Sequence, residues 1–491
     1  MISRFKKKIR SIFGSGKSDS PSPENSVRYA EKKEPEPPSG AHSRKSSTHN
    51  ERNVRKPARN VRHSFGDKKS STPHKISKAP EMPALKEVEP EEGKCRFSEL
   101  DVNKEILCAL QDLDFKYCTP IQQKCLPDAL NGKDITGKAQ TGTGKTAAFL
   151  IAAFTKLLRN PKNALKRGSC RILVLAPTRE LAMQIHKDAE GISKYCGFNN
   201  LAVFGGMDHR KQRDRLDYPI DALVGTPGRI LDFCNSRHLN LADTEVLIID
   251  EADRMLDMGF IPDVRRIVNK LPKTGVRQTM FFSATLTDEI TRLVDKWLED
   301  PVTVETESDQ VVTDLIDQKF YSVSRSEKFA MLLWILNNSD IERMLIFGNR
   351  KDYNTDLYNK LRRNNIECEL LSGDIPQKKR MNILEDFRSG RIKVVVATDV
   401  AARGIHVEGI SHVVNYDLPE RPDDYIHRIG RTGRAGATGK AISFVCEYGA
   451  YMLEELEKTL EEKINCIYPD EEMVKLPPLP RNGQRNRSRN Y

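Results

Sequence analysis

The run Val246-Leu247-Ile248-Ile249 contains no polar residue and ends in Asp250-Glu251-Ala252-Asp253. Alternation would mark a strand with one wet face, whereas an unbroken aliphatic run suits a strand buried on both faces of a parallel sheet. Ligands of such sheets sit beyond the carboxyl ends of the strands, where these carboxylates emerge. Carboxylates there suit a hydrated magnesium ion, which prefers hard oxygen ligands. Solvated acids at an ordinary strand end would have the same sequence, so the cluster acquires meaning only with a phosphate-binding loop upstream.

Ala139-Gln140-Thr141-Gly142-Thr143-Gly144-Lys145-Thr146 is such a loop, placed after a strand-like stretch and before the helical run Ala147-Ala148-Phe149-Leu150. Glycines let backbone N–H groups face phosphates at a helix N-terminus, whose dipole favours anions. Lys145 would reach the β- and γ-phosphates, and the Thr146 hydroxyl would ligate Mg²⁺ beside Asp250. Gly-Lys-Thr alone is common by chance; with its flanking elements and an acidic strand end about a hundred residues on, it is specific for nucleoside triphosphate chemistry.

Five buried-type runs alternate with amphipathic helical stretches between about Cys95 and Asp300: Ile172–Leu175, Leu201–Phe204, Ala222–Val224, Val246–Ile249 and Thr279–Phe282. The pattern resumes with Met344–Phe347, Glu369–Leu371, Val394–Ala397, His412–Asn415 and Ala441–Val445. Such alternation builds α/β domains around parallel sheets. The expected layout is a disordered basic tail over 1–90, α/β domains over 91–304 and 315–470, a linker over 305–314 and a short basic tail over 471–491. A chain of 491 residues has room for two such cores. No apolar run approaches the ~18–20 residues of a membrane span. Ten scattered cysteines without a C-x-x-C pair exclude zinc spacing and fit a reduced, cytoplasmic compartment.

The net charge of +11 lies in the tails. Residues 1–80 hold 20 Lys and Arg against 7 Asp and Glu, residues 481–491 add four arginines, and the remainder is net acidic. The tail composition, poor in aliphatics and rich in Ser, Pro, Lys and Glu, cannot bury a core. Ile2, Phe5, Ile9, Ile12 and Phe13 fall on one helical face among basic residues, a pattern compatible with an anionic membrane, RNA or a partner protein. Arg-Asn-Val-Arg occurs twice, at Arg52–Arg55 and Arg59–Arg62, and a flexible arginine-rich arm makes salt-dependent phosphate contacts without reading sequence.

With these stretches in view, the chain resembles the DEAD-box RNA helicases from about Phe97 to Tyr468. The resemblance implies two tandem RecA-like domains that bind ATP, Mg²⁺ and RNA between them. Ala139 in place of an opening glycine fits the helicase form of the phosphate loop. Phe115 and Thr119-Pro120-Ile121-Gln122 resemble the adenine-reading segment, with Phe115 stacking on the ring, Gln122 bonding its edge and Phe97 as the upstream aromatic. Pro177-Thr178-Arg179-Glu180-Leu181, Gly205-Gly206 and Thr226-Pro227-Gly228-Arg229 look like RNA-backbone contacts of the first domain. Arg350, Gln377, Arg380 and Thr398 would supply those of the second. Such groups address phosphate and sugar and not bases. Asp253, Ser283, Thr285, Asp399, Arg403 and His427 would couple the domains, the hydroxyls of Ser283-Ala284-Thr285 linking the acidic cluster to the second domain. In His427-Arg428-Ile429-Gly430-Arg431-Thr432-Gly433-Arg434, the family pattern makes Arg431 and Arg434 arginine fingers. Three arginines at this spacing repel and make a poor structural helix start.

By the same resemblance Asp250 holds Mg²⁺ through water and Glu251 orients or deprotonates the attacking water. A closed clamp that bends one strand would open short duplexes, because stacking averages only ~1.4 kcal/mol per step. One departure is His406, where most members carry an Asp that contacts ribose. Gly404-Ile405-His406 and Asn415-Tyr416-Asp417-Leu418-Pro419 are similar to the RhlB type, the bacterial RNA-degradosome branch. That similarity implies RNA, ribonuclease E and polynucleotide phosphorylase as partners of a monomeric, cytoplasmic enzyme without integral membrane association. The rival functions are ribosome assembly or cold-shock remodelling by the same core, a DNA translocase and a non-catalytic RNA scaffold.

Overall fold

The computed structural model describes residues 79–139, 142–162, 166–305, 316–402, 407, 409–433 and 438–477. Both Arg-Asn-Val-Arg repeats, the amphipathic start, the segment 306–315 and the final 478–491 lie outside the described residues. So do Gln140, Thr141, Arg403, His406 and Arg434.

The first sheet comprises β1 (Ile135–Lys138), β2 (Cys170–Leu175), β3 (Asn200–Val203), β4 (Ile220–Gly225), β5 (Val246–Ile249), β6 (Gln278–Ser283) and β7 (Val302–Glu305). All pairings are parallel, in the order β3-β4-β2-β5-β6-β1-β7. The second comprises β8 (Ile316–Ser322), β9 (Met344–Phe347), β10 (Cys368–Leu371), β11 (Val394–Ala397), β12 (His412–Asn415), β13 (Gly439–Val445) and β14 (Cys466–Ile467). Its order, β10-β11-β9-β12-β13-β8-β14, is the first order repeated strand for strand. The expected α/β class with two tandem parallel sheets is the observed one. No helix among the described residues is long and apolar enough to cross a membrane.

Residues Val246–Ile249 are wholly buried, as an aliphatic central strand requires. The helix Lys145–Arg159 is apolar nearly all round, and Ala147 to Thr155 are buried, because it packs between the sheet and its neighbouring helices. Capping fixes where helices begin at the sheet's carboxyl edge. The Thr178 hydroxyl accepts from the Leu181 N–H at 3.2 Å to start Arg179–Ile192, and Pro227 opens Pro227–Asn235.

The differences from the sequence pattern lie at edges. Strands β7, β8 and β14 carry no aliphatic run: β7 and β8 are partly exposed and β14 is two residues long. Glu305, expected in the linker, pairs with Lys138 as the last residue of β7. Residues 79–90, expected in the tail, lie along the first domain. Lys86 N–H donates to Gln111 Oε1 at 2.7 Å, Arg96 Nη1 to the Val88 carbonyl at 2.9 Å and Tyr117 Oη to the Glu89 carbonyl at 2.7 Å. Side chains of the domain satisfy an extended backbone there, which composition does not reveal. Met473 and Val474 likewise pack on the second domain's core, so 471–477 is not tail.

Gly137 lies in β1 opposite Phe282, whose ring packs against Phe149 with centroids 5.6 Å apart. A Cβ on Gly137 would overlap the Phe282 ring, which is fully buried and has nowhere to move. Gly137→Ala is expected to destabilise the first domain by ~1–3 kcal/mol through overpacking, seen as a lower denaturant midpoint for its unfolding step.

Candidate active site

Because β5, β6 and β1 are adjacent, segments more than a hundred residues apart end side by side at one sheet edge. The Ala139 N–H donates to the Ser283 carbonyl at 3.1 Å. Lys145 Nζ donates to the Ala139 carbonyl at 2.6 Å and lies 4.0 Å from Asp250 Oδ1, with both side chains buried. Burial pushes the Asp250 carboxyl up to about 6, while the neighbouring Lys145 ammonium works in the opposite direction. Burial also raises Asp253, against the pull of Arg254.

Glu251 sits at the strand-to-helix corner with φ 54°, a left-handed conformation costly for a residue with a Cβ. Its Oε2 accepts from Arg254 Nη1 at 2.9 Å. Asp253 Oδ2 accepts from the Ala284 backbone N–H at 3.1 Å. The link from the acidic cluster to Ser283-Ala284-Thr285 is therefore a backbone bond and not the expected hydroxyl contact; Ser283 Oγ is buried without a hydrogen-bond partner. Thr285 lies half-buried just beyond it.

A cavity of about 440 Å³ opens here, lined by Phe115, Gly144, Lys145, Thr146, Asp250 and Glu251 among others. Gly142 and Thr143 complete the described part of the loop. Phe115 is 41% exposed and can offer a ring face, whereas Phe97 is 3% exposed and belongs to the hydrophobic core, so the upstream aromatic is a packing residue. Gln122 is buried and joins two segments: its Oε1 accepts from the Thr119 N–H at 2.9 Å and its Nε2 donates to the Gly144 carbonyl at 3.0 Å. Gly144 has φ +95°, and a Cβ there would stand 2.6 Å from Gln122 Nε2. Glycine is required on both counts.

The residues expected to track RNA divide into two groups. Pro177 and Thr178 are buried, with the Thr178 hydroxyl occupied as a helix cap. Arg179 lies over Gly205-Gly206, where a Cβ on Gly206 would overlap its guanidinium. Thr226, Gly228 and Arg229 reach the surface around Pro227, and Arg229 keeps Nη1 without a hydrogen-bond partner. Arg350 is exposed beside Tyr353, and Thr398 is half-buried at the end of β11. Gln377 and Arg380 differ from expectation, being buried at the contact between the domains. Gln377 Nε2 and Arg380 Nε both donate to Glu180 Oε1, at 2.9 and 2.7 Å, and Arg179 Nη1 donates to Gln377 Oε1 at 3.2 Å. Arg380 also bonds the Ala401 carbonyl.

Arg428 corrects a second expectation, since it is structural. Its guanidinium holds Asp399 through two bonds of 2.6 Å, Asn349 Oδ1 at 2.8 Å and the Asp417 carbonyl at 2.6 Å, clamping the ends of β9, β11 and β12. Repulsion among the arginines is overcome at this position by the Asp399 carboxylate and the carbonyl dipoles. Arg431 is buried, its Nε donating to the His427 carbonyl at 3.2 Å. It lines a crevice with Asp399, His427 and, from the first domain, Arg254. Arg421 Nη1 meets Asp257 at 2.6 Å across the same divide. Glu180, Arg254, Asp257 and Arg421 were not singled out by the sequence pattern: Glu180 stands inside a motif but its partner Arg380 is 200 residues away, Asp257 and Arg421 are 164 residues apart, and Arg254 follows the acidic cluster whose Glu251 it holds.

Residues 119–293 match the model of the DEAD/DEAH box helicase family, and residues 327–436 that of the helicase conserved C-terminal domain. The chain belongs to the DEAD/DEAH box helicases. Within that class it is of the RhlB type: the ATP-dependent RNA helicase RhlB of Pseudomonas syringae pv. tomato is 49% identical over 390 residues, 79% of this chain and 98% of that one. The RhlB of Xanthomonas oryzae pv. oryzae is 43% identical over 387 residues, 78% and 67% of the two chains. Among solved structures, S. cerevisiae Dbp5 bound to RNA and ADP BeF3 is similar at a TM-score of 0.69 and 32% identity, covering 76% of this chain and 95% of that one. The protein is accordingly an ATP-dependent RNA helicase.

Arg380→Ala would leave Glu180 buried without its cation, a change that costs ~3–5 kcal/mol where such pairs are broken. RNA-stimulated ATPase activity is expected to fall more than ~10-fold. The melting of each domain should shift little, so ATPase titration with RNA beside thermal unfolding checks the assignment to domain closure.

Proposed function

We propose that this helicase hydrolyses ATP at the first sheet's carboxyl edge, completed by the second domain, to open short RNA duplexes during RNA turnover. The observation that carries the proposal is the buried approach of Lys145 to Asp250 at 4.0 Å, which joins a phosphate loop to an acidic strand end. Gly142, Thr143, Gly144 and Lys145 cradle the phosphates, Phe115 stacks on adenine, and Gln122 ties the adenine segment to the loop and bonds the edge of the base. Glu251, held by Arg254, orients the attacking water and receives its proton. Arg431 and Arg434 place positive charge where the transferred phosphoryl group gathers negative charge.

The donor set fits magnesium. A buried carboxylate pushed up to about 6 and a neighbouring threonine hydroxyl are hard oxygen donors short of positive charge. Among the described residues no cluster of three metal-binding side chains exists, as suits an ion that keeps waters and phosphate oxygens as ligands. Thr146 and Asp250 would hold it, and when bound it neutralises phosphate charge.

Thr226, Gly228, Arg229, Arg179, Arg350 and Thr398 form the RNA-backbone track, and Gln377 and Arg380 serve closure. Asp253 couples the acidic cluster to Ala284, and Asp399, Arg403 and His427 couple the second domain to the nucleotide. The likeness to RhlB helicases supports a cytoplasmic place in the RNA degradosome, with ribonuclease E and polynucleotide phosphorylase as partners. Affinity purification from the native cell tests this: ribosomal precursors in place of those two enzymes would assign the protein to ribosome assembly.

Glu251→Gln is expected to bind ATP and RNA normally and to hydrolyse ~10²–10⁴-fold more slowly, measured in single turnover; near-normal turnover would remove Glu251 from the chemistry. The pH dependence follows from Asp250. Its folded-state carboxyl is raised above the unfolded 3.8, so its contribution to stability declines as pH rises from about 4 to about 6. Metal needs the ionised form, which predominates above that range. Magnesium should therefore raise the melting temperature more at pH 7 than at pH 5, and ATPase activity should decline below about pH 6.

A further inference from the structure

Cys95 and Cys118 stand opposite one another where the chain entering the first domain pairs with the segment entering the adenine-reading motif. Arg96 and Tyr117 form an antiparallel bridge, and the Cys118 N–H donates to the Cys95 carbonyl at 2.8 Å. Directly opposed, hydrogen-bonded residues have Cα atoms ~5.5 Å apart, inside the ~4.4–6.8 Å that a disulfide spans. Directly opposed residues of an antiparallel pair carry their side chains on one face, and Cys95 Sγ donates to the Arg96 carbonyl at 3.6 Å. Cys95 is partly exposed and Cys118 is buried.

Their position gives the pair a consequence. Cys118 directly precedes Thr119, whose backbone N–H is held by Gln122, and the 22 residues between the cysteines include Phe115 on the wall of the nucleotide cavity. We propose that Cys95 and Cys118 are a reversible oxidation site whose disulfide fixes the adenine-binding segment in its nucleotide-ready geometry and tightens ATP binding. The proposal rests on the assignment of Phe115 and Gln122 to adenine.

The reaction needs a low-molecular-weight disulfide as oxidant. The Cys95 thiolate attacks one of its sulfurs, forming a mixed disulfide and releasing one thiolate. The Cys118 sulfur then attacks Cys95 Sγ, the second small thiolate leaves, and the two protons lost from the cysteines appear on the two small thiols. The protein pair is oxidised by two electrons and the small disulfide is reduced by two. Burial raises both thiols, Cys118 up to about 12, so the partly exposed Cys95 is the entry thiol and the reaction is faster in mild alkali.

The test uses the full chain incubated with glutathione disulfide at pH 8, followed by alkylation, peptide mass spectrometry and ATPase titration. The expected result is a cross-link between the Cys95 and Cys118 peptides, with a KM for ATP roughly threefold lower, as pre-organisation of a binding segment gives. Dithiothreitol should reverse both changes, and C95S and C118S should show neither. Absence of that cross-link while the intact protein remains active would overturn the site. A cross-link with an unchanged or raised KM would overturn its effect on nucleotide binding. Gln122→Ala separates the two assignments: if its KM for ATP equals that of the parent, the adenine reading fails, whereas the cross-link stands or falls by the mass spectrum alone.

Discussion

A buried lysine and a buried aspartate are each unfavourable alone, since the desolvation of either ion costs several kcal/mol. Lys145 and Asp250 occupy such positions together, and the rest of the first domain exists to make that possible. The lysine heads a helix whose burial locks it in place, and the carboxylate ends a strand with no solvent on either face. Their approach depends on strand order, because β5 reaches β1 through β6 and the P-loop and acidic cluster otherwise lie 105 residues apart. Asp250 remains only partly compensated, and this incomplete satisfaction leaves it receptive to a cation.

Backbone strain is placed at the same point. Glu251 adopts φ 54° between a strand and a helix, a conformation that ordinarily costs ~1–2 kcal/mol for a residue other than glycine. Glycine would remove the strain along with the carboxylate, so the observed residue is a compromise in favour of chemistry. The surrounding bonds over-determine the corner: the Glu251 N–H is held by Asp250 Oδ1 at 3.0 Å, and its side chain is held by Arg254.

The legible parts of the sequence were those whose signal is local. Central strands such as Val246–Ile249, Met344–Phe347 and Val394–Ala397 are aliphatic because both faces are covered, and their limits agree with the pattern to the residue. Strands β7, β8 and β14 lie towards the sheet edge, where one face or flank is wet and residues such as Asp317 and Lys319 are tolerated. The motifs locate the phosphate loop and acidic cluster, because a glycine or a carboxylate is required there by its own chemistry. They do not distinguish an arginine that meets RNA from one that meets a carboxylate across the domain boundary. Arg380 is of the second kind, its partner Glu180 lying 200 residues away, and Arg428 meets Asp399, 29 residues away, inside its own domain. Only the tertiary contact discloses that difference.

The distribution of apolar contacts explains why such polar pairs matter. Every hydrophobic cluster among the described residues is confined to one domain, three on the side of the first sheet and three on the side of the second. Each domain therefore keeps its core whether or not it meets the other. What joins them is polar: Glu180 with Gln377 and Arg380, Arg179 with Gln377, and Asp257 with Arg421. Water can replace such bonds when the domains part, and among the described residues no hydrophobic cluster spans both domains. A ligand that binds the joined arrangement of such an interface more tightly than the separated one shifts it by that difference in affinity. Strand order, buried charge and segregated cores thus serve one requirement, that two stable domains can meet and part without either losing its core.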